Sequence, residues 1–135
     1  MTATPEPDVL VVGRGRGDRG GLDDPVGILF GTVAIMLFVL ILIETVAFWH
    51  AHNVFEAAAA EGARVAAAFD GTCTAGTATA RASITRRAGG WAAGVTITCR
   101  EATGEVTITI DGRTPGVVST LGPLAHVTES APRER

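Results

Sequence analysis

Few side chains in this chain of 135 residues could do chemistry, and their spacing argues against most of it. His50 and His52 are two apart, so on a helix they point to different faces and make a poor metal pair, and His126 stands alone. Beyond Asp23-Asp24 no acids cluster, and no serine, threonine or cysteine has a base at a spacing that would activate it. "VLVVGRGRGDRG" carries Gly15-x-Gly17-x-x-Gly20 after four apolar residues, the outline of a pyrophosphate-binding turn. That turn needs an amphipathic helix and a returning strand, whereas an unbroken apolar run follows. No catalysis, metal or cofactor is expected. A net charge of −3 from 11 basic and 14 acidic residues gives no footprint for nucleic acid.

What remains is a matter of position. From Val26 to Ile43 there is no charged residue, and after Glu44 the apolar run resumes as "TVAFW". Val26 to Trp49 as a helix covers a hydrocarbon core of about 30 Å, so 26–49 is read as a transmembrane helix. Arg14, Arg16 and Arg19 precede it, and the next basic residue is Arg64. The N-terminus is therefore expected in the cytoplasm and residues 50–135 outside, with Phe48 and Trp49 at the outer headgroup level. On this topology the tripeptide Arg16-Gly17-Asp18 is inside. Glu44 lies about 7.5 Å from Trp49 along the helix. Two readings stay open for it: an acid reaching outward to the headgroups, or a polar contact with a neighbouring helix.

The helix is expected to continue through 50–70. Ala58, Gly62, Val65 and Phe69, with Val54, form an apolar stripe that would pack on the chain's own domain, Glu61 can pair with Arg64, and Gly71 suits a left-handed cap. A second helix is expected within 74–89, starting near Gly76 or Thr77 and stopping at Gly89-Gly90, with Arg81, Arg86 and Arg87 on its solvated side. "VTITC" and "VTITI" alternate apolar residues with threonine around Thr103-Gly104, which predicts a β-hairpin. Val95, Ile97, Cys99, Val106, Ile108 and Ile110 would form its inner face. A third strand, drawn from 116–130, would be kept at an edge by Pro123. The fold class is thus α+β: a long N-terminal helix entering a small extracytoplasmic domain, 71–130, with a frayed tail at 131–135. Cys73 and Cys99 both lie on the outer side, where a disulfide is expected; the other reading is two small buried thiols.

The polar leader ending in "RGDRGG", the span with a late glutamate in "LIETVAFWHAHN", the run "AAAEGARVAA" at Ala58–Ala67 and "GRTPGVV" at Gly112–Val118 together resemble the TadE-like family of Tad (Flp) pilus assembly pseudopilins. The resemblance spans Arg19 to about Val127, and its most specific element holds Glu61, Gly62, Ala63 and Arg64. It implies a pilin-like fold and a membrane-anchored, non-enzymatic component that helps initiate or assemble a thin adhesive type IVb pilus. The implied partners are other pilins and pseudopilins, the Tad assembly components and a prepilin peptidase. It further implies a leader, within 1–25, that ends at Gly20 and leaves Gly21 as the new N-terminus. Asp24 stands where such proteins carry a glutamate, and Pro25 follows it. The rival reading is a membrane-tethered extracytoplasmic interaction domain unrelated to pili.

Overall fold

The computed structural model describes residues 25–116 and 122–134, so Gly20, Gly21, Asp24 and the glycine-rich leader lie outside the described residues. Two compact units divide the chain, residues 1–36 and 37–135. Helix α1, Pro25–Ala67, begins on a proline, whose missing N–H is no loss in a first turn. It contains a stretch long and apolar enough to cross a membrane, by length and composition, and among the described residues none of that stretch is buried. Among the described residues it is the one helix that meets this criterion.

Beyond residue 50 the same helix acquires a face. Ala51, Val54, Phe55, Ala58, Ala59, Gly62, Ala63, Ala66 and Ala67 are buried, a helical three-and-four spacing that forms the floor of the core. The expected stripe is corrected in its lower half: Val65 is 37% and Phe69 77% exposed. The stripe is set by Phe55 and the alanines, which lie on the side facing α2 and the sheet; Val65 falls outside that side, and Phe69 lies beyond the end of the helix. Helix α2, Cys73–Ala88, starts earlier than expected because Thr72 caps it, its hydroxyl accepting from the Ala75 amide at 3.2 Å. It stops at Gly89, as the sequence predicts, and a short 3₁₀ turn, Gly89–Ala92, brings Trp91 against Phe55 with ring centres 5.8 Å apart. Gly71 is not a left-handed cap: its φ is not positive, and a side chain there would strike the Val65 carbonyl oxygen.

Strands β1, Thr96–Ala102, β2, Glu105–Arg113, and β3, Leu124–Pro132, form an antiparallel sheet in the order β1-β2-β3. The hairpin turns on Thr103-Gly104, pairing Ala102 with Glu105, and Gly104 takes the positive φ of 83° that the turn requires. Alternation delivers Val106, Ile108 and Ile110 of the central strand, with Ala125, Val127 and Ala131 of β3, to the buried face. β3 is an edge strand and Pro123 lies just before it. The tail expected to fray is tied down as far as Glu134. The Glu134 amide donates to the Ala67 carbonyl at the end of α1, and the Arg133 amide donates to Gly104, both at 2.9 Å. Arg133 also reaches Glu101 at 2.9 Å. Terminal carbonyls of a helix need donors, and the end of the chain supplies one.

Candidate functional site

The sequence singles out two places on α1, Glu44 and the run from Glu61 to Arg64. At Glu61–Arg64 the helix meets α2 at close range. A methyl group added to Gly62 would lie 2.7 Å from the Gly76 carbonyl oxygen and 2.9 Å from the Ala80 β-carbon. One added to Gly76 would lie 2.6 Å from the Ala66 β-carbon. Glycine faces glycine at this crossing, so the backbones touch. Glu61 does not pair with Arg64. Its carboxylate accepts from the Ser83 hydroxyl at 2.7 Å and lies 3.4 Å from Arg86, both on α2. Ser83 is fully buried, so Glu61 answers a hydroxyl that would otherwise lack a partner in the core. Ala58 and Ala63 are buried beside this crossing, whereas Arg64 is exposed. Of the motif residues, Glu61, Gly62 and Ala63 serve contacts within the domain. Nothing in the local pattern around 61–64 marks Ser83 or Gly76 as their partners; the small residues of "TAGTATA" are the one available hint.

Cys73 and Cys99 form a disulfide, with α-carbons 5.6 Å apart across a separation of 26 residues. It fastens the first residue of α2 to the middle of β1. The alternative of two buried thiols does not apply.

At Glu44 the geometry is of another kind. Gly112, in the last turn of the pleat of β2, lies against Phe55: a methyl group there would be 3.0 Å from the Phe55 ring and 2.9 Å from Val95. Four residues on, one added to Gly116 would be 2.7 Å from a Glu44 carboxylate oxygen. Residues 112–116 therefore descend along one side of α1 from Phe55 to Glu44. Between these points Ala51 is fully buried and Ala47 half-buried. The ends of the connection are clasped above: Thr114 donates through both its amide and its hydroxyl to the Pro123 carbonyl, each at 3.1 Å. Glu44 is half-buried on this side. Around the helix from it, Leu42, Ile43, Val46, Ala47 and His50 line an open hollow of about 450 Å³. Of the two readings of Glu44, neither anticipates that the chain's own β2–β3 connection reaches it. Gly116 carries the contact; in the sequence it stands within "GRTPGVV", a run that points to no partner.

The outer face of the sheet gathers Thr98, Arg100, Thr107, Thr109, Asp111, His126, Thr128 and Ser130 by alternation. Asp111 and His126, paired across strands, lie 2.5 Å apart and are both exposed. His52 lies 3.2 Å from Glu56 and stacks on Phe48. His126 lies on the sheet and His50 and His52 on α1, and among the described residues no three His, Cys, Asp or Glu side chains gather as metal ligands. Comparison of the chain with protein-family models, with curated proteins and with solved structures gives no match.

Proposed function

We propose that the chain is a membrane-anchored pseudopilin of the TadE-like kind, a non-enzymatic component that helps initiate or assemble a Tad (Flp) pilus, with its disulfide-bonded domain outside the cytoplasm. The observation that supports the reading most is the continuity of α1. Exposed apolar residues pass into a buried alanine-rich face without a break. A helix of that kind anchors in lipid and holds its domain at the surface, and the same bare surface can pack on the helices of other subunits. The disulfide agrees with an oxidising outer compartment.

The test is the N-terminus and intact mass of the protein from native membranes, with and without an active prepilin peptidase. A new N-terminus at Gly21 that depends on the peptidase is the expected result. A full-length chain in both cases removes processing. One observation favours the rival, a tethered interaction domain unrelated to pili: Ala58, Gly62 and Ala63, the small residues suited to subunit contacts, are spent inside the domain. Co-purification separates the two. As a pilus component the chain extracted from native membranes brings pilus proteins with it, and a tethered domain does not; Glu44→Leu that inserts and co-purifies unchanged removes Glu44 from the subunit contact.

A further inference from the structure

The level of α1 between Leu42 and His50 has two unlike sides. On one, residues 112–116 run down the helix until Gly116 meets Glu44. On the other, Leu42, Ile43, Val46 and Trp49 stand bare, Val46 being 66% and Trp49 67% exposed. An apolar surface of this extent, continuous with the stretch below it, requires a non-aqueous cover up to the level of Trp49. Glu44 lies about 7.5 Å below that level. Lipid that wets the bare side as far as Trp49 also surrounds the segment that descends on the opposite side. The residues there suit it. Pro115 has no N–H to leave unsatisfied, and Pro115 and Gly116 are only half-buried by the protein itself.

We propose that the β2–β3 connection where it leaves β2, at Pro115 and Gly116, is a second membrane contact, seated among the headgroups beside the span, and that lipid acyl chains fill the Leu42–His50 hollow. This rests on the membrane reading of α1. The Glu44 carboxylate then faces the protein's own backbone at a depth where exposure to hydrocarbon would be costly.

The experiment uses the unaltered full chain in phosphatidylcholine vesicles that carry a diazirine on the acyl chain close to the glycerol. After irradiation, adducts are mapped to residues by mass spectrometry. Expected are adducts at Val46 and Trp49, and also at Pro115 and Gly116, several-fold above those at Thr103-Gly104, the turn at the opposite end of β2. Adducts at Val46 and Trp49 with Pro115 and Gly116 no higher than Thr103-Gly104 overturn the proposal and leave the membrane reading standing. Absence of adducts along the whole of α1 overturns both. Pro115→Asp supplies a second measurement: labelling at Gly116 falls several-fold while labelling at Leu29 and Val33 is unchanged, and unchanged labelling at Gly116 counts against the contact.

Discussion

Replacing Gly62 by alanine sets two effects of opposite sign against each other. Alanine is a better helix former than glycine by about 0.8–1.0 kcal/mol, so on an open helix face the change would stabilise. At this crossing the new methyl group lies 2.7 Å from the Gly76 carbonyl oxygen and 2.9 Å from the Ala80 β-carbon. Neither atom ends a flexible side chain, so α1 and α2 must separate. Overpacking of a core commonly costs about 1–3 kcal/mol, and two rigid contacts belong in the upper part of that range. The net expectation is a loss of about 1–2 kcal/mol, which for a domain of this size lowers Tm by roughly 5–10 °C. The assay is thermal and urea unfolding of the full chain in detergent, with Gly94→Ala as the control, since an added methyl there has nothing within 4 Å. Gly62→Ala and Gly76→Ala thicken the same crossing, so the double variant loses less than the sum of the two. If Gly62→Ala is as stable as the parent or more so, helix propensity outweighs contact, and the account of this crossing is wrong.

Reduction of the Cys73–Cys99 disulfide, or Cys73→Ala with Cys99→Ala, reopens a loop of 26 residues' separation and should cost about 3.5 kcal/mol on the chain-entropy relation, read from urea midpoints with and without reductant. Glu61→Ala leaves the Ser83 hydroxyl buried without its partner and should cost about 1–3 kcal/mol, much of it recovered when Ser83→Ala is added, as a double-mutant cycle measures. Phe69→Ser, at 77% exposure, should change stability by no more than about 0.5 kcal/mol, whereas Phe55→Ala should cost about 3–5 kcal/mol by the same unfolding assay.

The architecture was legible where a local pattern has a single physical outcome. An uncharged apolar run from Val26 to Ile43 can only be a helix that needs lipid or burial, and threonine alternating with valine and isoleucine around Thr103-Gly104 can only pair as a hairpin. The second helix, its stop at Gly89 and the edge strand after Pro123 follow in the same way. In the alanine-rich part of α1 the pattern is ambiguous. With alanines on every side, the period cannot say which face turns inward, and Val65 and Phe69 were natural but mistaken choices. Phe55 decides, because Gly112, Val95 and Trp91 leave it a place under the sheet.

Composition and hydropathy by themselves determined that a long apolar helix precedes a small α+β domain, since those depend on neighbours in sequence. Tertiary structure alone decided the partners. Glu61 chose Ser83 and Arg86 over Arg64, 22 and 25 residues away in place of one turn, because the glycine crossing brings α2 against it. The tail reached the Ala67 carbonyl because β3 ends beside the last turn of α1. Glu44, which the sequence offered to headgroups or to another helix, met the β2–β3 connection of its own chain, because Gly112 and Gly116 let an extended backbone lie close along α1. Each of these contacts joins residues far apart in sequence, and only the packed chain brings them within reach.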